Sequence, residues 1–441
     1  MAETLKTMNE ALNKAQPALT ALDRYWDGTQ PAAYLSAGSR EALGDKFRTL
    51  SVNYCRLAVT ALEERLGLDG FVRHGESQAD PELLDLWASQ GLDDIASMAH
   101  IDALVYGRSY VTVWADAFGR PTVTVESPRN MTVRRDPLTR EVVDAFKRWI
   151  DLDGTPRGVL YGRESIVHYV GKGKVVDASL FPVNGWTVSE SLPNPLGVVP
   201  VVPLINRGRL AEAEGVSELS DLVDLSDALN KIMGDALVTS EFYAKPRRWV
   251  TGLEISEDDD GNPVDPFPNE GGKLWQSEDP DTKFGQFDGA RLDGYADLVS
   301  LLTAQIGALS GLPPHYLGLN GDQPPSADSI RSAEASLVSR AYALQRTLSR
   351  SWGMVAALIY AISNEADPLA VNYRPVWRNP ETRTGAQDAD AAAKLSGIGV
   401  PLKVVLSDVL HWAPEQVEAA MSAKRQESVL SAGESIGALL P

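Results

Sequence analysis

The side chains with the greatest capacity for chemistry are a run of carboxylates, a glycine–lysine turn and five scattered histidines. Asp258-Asp259-Asp260-Gly261-Asn262 offers the hard oxygen donors that a calcium ion takes. If Gly261 is the sixth position of a calcium loop, the first is Ser256 and the twelfth Phe267, so both key ligands are wrong and a solvated acidic loop is the better reading. Gly171-Lys-Gly-Lys174 suits a phosphate but lacks the spacing and terminal hydroxyl of a P-loop, and it reads as a hairpin turn. His74, His100, His168, His315 and His411 fall at no metal-ligand spacing. No nucleophile elbow or dinucleotide fingerprint occurs, and Asn130-Met131-Thr132 matches a glycosylation acceptor that matters only in a secreted chain. No catalytic residue, metal site or cofactor is expected, and the chain does not read as an enzyme.

The elements that would carry such residues are organised around the stretch from Leu292 to Asn364. Leu298, Leu301, Leu302, Ile306 and Leu309 recur at a spacing that predicts one buried helical face. Gly311-Leu312-Pro313-Pro314 ends that helix, and His315 to Pro325 is rich in turn residues. Ser326 is a candidate N-cap for a second helix running to Ser363, with Asp328 near its positive end. Its apolar set is Leu337, Ala341, Leu344, Leu348, Trp352, Val355, Ile359 and Ile362, with Arg340, Gln345, Arg346 and Arg350 between them. At about 1.5 Å per residue it spans roughly 55 Å, and Gly353 is where a bend costs least.

In chain order, helices are expected over 1–27, Ser39–Leu66 and Pro81–Leu104. Strands follow at Ser109–Trp114, Pro121–Glu126, Met131–Val133, Val142–Ile150, Gly158–Tyr161 and Ser165–Tyr169, suggesting an antiparallel meander or small barrel. A proline-spaced extended segment, Asn194–Pro203, precedes a helix from Gly215 to about Lys245. Arg247-Arg248-Trp249-Val250 begins like a strand, and Glu254–Asp281 holds ten carboxylates against one lysine, read as a small loop-rich insertion. Tyr373–Pro380 is expected as an extended linker, with short helices at 387–396, 401–410 and 414–430 and a frayed end. The fold class is α+β, mainly helical.

The formal net charge is −19 over 441 residues, which argues against a free-standing DNA reader, because such proteins neutralise phosphates with a basic face. The one cysteine, Cys55, excludes an internal disulfide framework and reads as a core thiol. The opening residues lack a signal pattern and no run is long and apolar enough to span a bilayer, so a soluble chain without a membrane partner is expected.

This order of elements resembles the portal proteins of tailed bacteriophages, siphophage type. The resemblance rests on Gly215-Val-Ser-Glu-Leu-Ser-Asp-Leu-Val-Asp-Leu-Ser-Asp-Ala-Leu-Asn-Lys231, Ser310-Gly-Leu-Pro-Pro-His-Tyr-Leu-Gly318 and Ser326-Ala-Asp-Ser-Ile-Arg-Ser-Ala-Glu334. Arg378-Asn-Pro-Glu-Thr-Arg383, Gln387-Asp-Ala-Asp-Ala-Ala-Ala-Lys-Leu395 and Tyr25-Trp26-Asp27-Gly28 add to it. It implies a portal-like fold: a β-rich wing and body over 1–214, stem helices over 215–246 and 291–312, and a clip over 247–290. A tunnel loop over 313–325, a long helix of the wing and body over 326–365 and a crown-like helical region over 366–441 complete it. It further implies a ring of twelve subunits at one capsid vertex of the virion, assembled in the bacterial host cytoplasm, through which double-stranded DNA is packaged and ejected. The implied partners are other copies of the chain, the DNA, the terminase large subunit, a head-completion or adaptor protein, and the major capsid and scaffolding proteins. The implied channel residues are Leu319, Asn320, Gly321, Asp322 and Gln323, with basic contacts from Lys245, Arg247 and Arg248 near the clip. The competing readings are another head-vertex or minor structural protein of a phage particle, and an enzyme on a divergent fold.

Overall fold

A computed structural model describes residues 2–31, 51–76, 78–175, 181–206, 210, 212–243, 248–252, 280–287, 292–319, 326–381, 385–410, 412 and 414–437. The chain forms two compact units, Met1–Arg378 and Asn379–Pro441. In the first unit the helices are α1 (Ala2–Asp27), α2 (Tyr54–Glu63), α3 (Pro81–Ser89), α4 (Leu92–Tyr106), α5 (Val223–Tyr243), α6 (Asp293–Ser310) and α7 (Ala327–Asn364).

α7 is the axis. Ser326 caps it by accepting from the Ser329 amide, and the chain leaves the helix at Glu365 in the left-handed region. Leu337, Ala341, Leu344, Leu348, Trp352, Val355 and Ile359 are all buried, as their spacing predicts. From Trp352 to Ile359 burial is nearly all round, because Ala356, Ala357 and Leu358 are buried too, so this half of α7 is a central helix. Trp352 packs edge-on to Trp87 and donates its indole N–H to His100 Nε2 on α4 at 2.9 Å. Gln345, expected among the intervening polar residues, is buried and donates Nε2 to the carbonyl oxygens of both Arg65 and Arg378 at 3.0 Å.

The helix is continuous through Gly353. A Cβ at that position would lie under 3.0 Å from the Tyr373 carbonyl oxygen. Glycine is there so that a strand can lie against the helix backbone. That strand, β12 (Tyr373–Trp377), pairs antiparallel with β1 (Leu68–Arg73), with Phe71 opposite Pro375. The expected linker is therefore part of the body. Pro375 hides the pattern because proline removes a ladder donor, which only an edge or short strand tolerates.

Antiparallel strands make up the rest of the β structure. β2 (Arg108–Ala115) lies between β3 (Pro121–Glu126) and β9 (Val201–Ile205). β4 (Met131–Arg135), β5 (Val142–Ile150), β6 (Pro156–Tyr161), β7 (Ser165–Gly171) and β8 (Trp186–Pro193) form an up-and-down sheet. The expected meander holds for β4 to β7 but not for β2 and β3, which form a separate sheet with β9, and the five-stranded sheet is open rather than a barrel, since β4 and β8 are its two edges. Strand β8 escapes sequence reading because nearly every residue in it is exposed, so no buried face alternates. α1 covers this sheet: Leu5, Met8 and Leu12 pack with Phe146, Leu160, Val167 and Tyr169.

Two expected helices are resolved differently. Of the helix expected over Ser39–Leu66, residues 39–50 lie outside the described residues, and the described part starts at Tyr54, where Asn53 caps it with Oδ1 on the Arg56 amide while its Nδ2 donates to Trp26 O. The helix expected over Pro81–Leu104 breaks between α3 and α4 at Gly91, whose φ of 62° is left-handed. Cys55 is buried in α2, and burial pushes its thiol up to about 11.

In the second unit, α8 (Gly385–Gly397) is followed by a helical turn Leu402–Val404, a π-helical turn Val405–Val409 and α9 (Pro414–Gly437). Val405, Leu406, Val409 and Val417 are its buried apolar residues. The expected helix over 401–410 is thus only one α turn before the hydrogen bonding widens.

Candidate channel and subunit-contact elements

α5 and α6 form an arm. Its base is fastened to the body: the Tyr25 hydroxyl donates to Asp227 Oδ2 at 3.0 Å, the Val52 amide donates to Asn230 Oδ1 at 2.9 Å, and Leu229 is buried. The arm helix begins at Val223 and not at the expected Gly215. Ser217 intervenes by donating its hydroxyl to Val105 O while accepting from the Leu219 amide, and Leu219 and Leu222 enter the core from turns. Further out, the Thr239 and Tyr295 hydroxyls meet at 3.1 Å, and Lys231 pairs with Asp235 along α5.

The expected buried face of α6 is largely overturned. Ile306 is buried and Leu302 half-buried, but Leu298, Leu301 and Leu309 are 45%, 56% and 48% exposed. The covered stripe is Thr303, Ile306, Gly307 and Ser310, the side toward α5 and the loop beyond. α6 is apolar on two sides, and in a single chain only one side has a partner. The same helix carries Asp293 and Asp297 and no cation.

Strands β10 (Arg248–Thr251) and β11 (Lys283–Gln286) join the arm helices as an antiparallel pair, with Val250 opposite Phe284. The expected strand at 247–250 is present from Arg248, whose backbone faces Gln286. Trp249 and Phe284 are 38% and 42% exposed. Lys245, Arg247 and the acidic run Asp258–Asn262 lie outside the described residues.

At the other end of α6, Gly311 closes the helix with φ 73°, and Pro314–Leu317 forms one 3-10 turn. Leu317 is buried against Gly307, where any side chain on the glycine would collide with it. Glu334 on α7 is buried beneath this turn: Oε1 lies 3.5 Å from His315 Nε2 and Oε2 lies 3.5 Å from Arg65 Nη2. Arg65 Nη2 also donates to the Tyr316 hydroxyl at 3.4 Å. Across the arm's root, Arg340 Nη2 donates to Glu218 Oε2 at 2.5 Å and Arg340 Nη1 donates to Leu309 O at 2.7 Å. A charged anchor therefore holds each end of the segment that leads into the loop. Of the five channel residues expected, only Leu319 is described. It is half-buried against the main core, whereas Asn320, Gly321, Asp322 and Gln323 lie outside the described residues.

Elsewhere His100 and Lys174 are occupied structurally, and His411 lies outside the described residues. His100 is fully buried, and desolvation lowers it to about 3, so it is the neutral acceptor for Trp352. In the glycine–lysine stretch expected as a hairpin turn, Gly171 is the last residue of β7, opposite Trp186, and Lys174 pairs with Asp153 at 2.6 Å. Among the described residues there is no group of three or more His, Cys, Asp or Glu side chains placed to hold a metal, and no helix is long and apolar enough to cross a membrane. Sequence reading missed the exposed side of α6. Leu298 and Leu309 share a stripe with Leu302, four residues before it and seven after, so periodicity marks them as apolar without saying how far round the helix the covering reaches.

An α+β body built on one 38-residue helix, with a two-helix arm and a short hairpin between the arm helices, is a portal-type subunit architecture. The same fold occurs in a chain from the neck of an empty GTA particle computed with C6 symmetry, with a TM-score of 0.50, 11% identity and coverage of 88% of this chain and 97% of that one. Residues 5–429 match the profile of the family "Phage portal protein, SPP1 Gp6-like", and the chain belongs to that family. It is 32% identical over 368 residues to the portal protein of Mycobacterium phage L5 and 32% identical over 373 residues to that of Mycobacterium phage D29. Each alignment covers 79% of this chain and 73% of the relative.

Proposed function

We propose that this phage portal protein works as a closed ring of about twelve copies at one vertex of the capsid, conducting double-stranded DNA during packaging and ejection. In this reading α5 and α6 are the stem lining the channel, 247–290 is the clip, 313–325 the tunnel loop and the region after the long helix the crown. The observation that carries the ring is the uncovered stripe Leu298, Leu301 and Leu309 on an arm helix. A single chain leaves it in water, while a neighbour packed arm against arm removes it, at about 25 cal/mol per Å² of apolar surface buried. A ring of this kind uses one patch against a different patch on the next copy.

Charge supports the conduit. About twelve copies of −19 sum to roughly −200, so a duplex gains no adhesive phosphate neutralisation from the ring as a whole. Asn320, Asp322 and Gln323 add no cation at the loop, and Lys245, Arg247 and Arg248 are the basic residues proposed to brush phosphates. Terminase large subunit, adaptor, capsid and scaffolding proteins are the partners this reading assigns, with assembly in the host cytoplasm.

The test is the mass of the purified chain by light scattering, with microscopy of any large species. Leu298→Glu with Leu301→Glu should leave circular dichroism unchanged, since both side chains are exposed in the single chain, and should abolish the ring. Rings forming normally in the double variant would remove the stripe from the interface.

A further inference from the structure

A groove of about 700 Å³ lies between the β4–β5 turn, β9, the second half of α7 and the segment after α7. It belongs neither to the arm nor to the loop. Its wall and floor are apolar: Val198, Val199, Met354, Ala357, Leu369 and Val371. Leu369 is 67% exposed at the mouth.

The rim is cationic in a chain whose net charge is −19. Arg135, Arg140, Arg163 and Arg350 line it, against the single acid Glu141. Glu141 is taken by Arg163 at 2.7 Å. The other three arginines have no carboxylate partner among the described residues. Arg135 donates only to the Arg140 carbonyl, at 3.3 Å, and its buried Nε has no acceptor. Arg140 is held at φ 61°, a conformation a residue with a side chain rarely takes, which fixes the turn at the groove's edge. Arg350 projects from α7 with its side chain exposed.

From this we infer that the groove is a docking surface for an acidic segment of another protein, one that carries aliphatic side chains between its carboxylates. Planar guanidinium groups match carboxylates in two-point hydrogen bonding, and the valine, methionine and leucine floor removes aliphatic side chains from water. Nucleic acid fits less well, because single-strand binding uses stacking platforms and the one aromatic lining residue, Tyr373, is buried. The segment does not enter as an added strand. Pro203 has no N–H at the outer edge of β9, and its carbonyl oxygen already accepts from Ser351 Oγ at 2.9 Å. Recognition is therefore by side chains.

The probe is the peptide fluorescein-Glu-Leu-Asp-Leu-Glu-Leu-Asp-amide, with the dye on the N-terminal amine, titrated with the full chain and read by fluorescence anisotropy. Binding should weaken about tenfold or more in Arg140→Ser with Arg350→Ser, two exposed positions whose loss removes charge-assisted contacts without opening the core. It should also weaken as ionic strength rises, and be lost when serine replaces leucine in the peptide. No binding, or binding equal in the arginine variant, overturns the inference. Equal binding of the serine peptide makes the surface a general polyanion patch, and a short DNA duplex binding with the same arginine dependence in place of the peptide makes it a nucleic-acid surface; either result overturns it. If the dilute monomer binds and the assembled protein does not, the occupant is a second copy and the assignment to another protein fails.

Discussion

Replacing Gly353 by alanine separates helix propensity from tertiary contact, because the two give opposite signs. In the middle of a free helix the change stabilises by about 1 kcal/mol, since glycine loses more backbone freedom on folding. Here the added Cβ would sit under 3.0 Å from the Tyr373 carbonyl oxygen, a backbone atom of β12 that cannot swing aside as a flexible side chain would. Relief requires α7 and β12 to separate by several tenths of an ångström, and overpacking of this kind costs about 1–3 kcal/mol. The neighbour is backbone and the helix is packed all round at this level, which places the cost near the upper end. Subtracting the propensity gain leaves a net loss of about 2 kcal/mol, or roughly a thirtyfold shift in equilibrium. The assay is urea unfolding of the two proteins, together with hydrogen exchange of the amides in 68–73 and 373–377, where the β1–β12 ladder should open more readily. A Gly353→Ala protein as stable as the parent, with that ladder equally protected, would refute the close-approach argument and return Gly353 to the role of a hinge.

The same core and loop carry further expectations. Leu344→Ala should cost about 2–5 kcal/mol in urea unfolding, and Leu344→Asp should prevent folding by placing an unpaired charge in the core; a folded Asp variant by circular dichroism would remove Leu344 from the buried face. His100 titrates near 6.5 when unfolded and near 3 when folded, so its contribution is complete above pH 6.5 and declines as pH falls toward 3. The decline is about 1.4 kcal/mol per pH unit. His100→Gln, which keeps an acceptor for Trp352, should flatten the stability slope between pH 6.5 and 4.5, and an unchanged slope would show that His100 is not the group responsible. Deleting Asn320–Gln323 should leave assembly intact and impair DNA packaging or retention in the particle; loss of the ring would make the loop a packing element. Arg340→Ala removes a cation from buried Glu218 and a donor from Leu309 O, and should lower stability by about 1.5–3 kcal/mol; no change in the urea midpoint would show that this pair does not hold the arm's root.

By itself the sequence determined the long helix, its cap at Ser326, most of its buried stripe, the places of β2 to β7 and both ends of β3 and β5. Those features follow from local rules: a 3.6-residue or two-residue period, a capping hydroxyl, or a glycine or proline stop. It also determined the family, because the order of weak motifs along the chain needs no coordinates. Only the tertiary structure decided the role of Gly353, since its need for a bare backbone comes from a strand twenty residues later. The same holds for β12 and β1, whose pairing joins segments about 300 residues apart and whose Gly70 and Pro375 obscure their periodicity. It held most strongly for α6, where periodicity marks which residues are apolar but not which apolar side has a partner. In a single chain α5 and the loop cover one stripe and leave Leu298, Leu301 and Leu309 in water. The groove's arginines were visible in the sequence only as four separate cations, because their convergence depends on a β-turn, a helix and a loop meeting in space.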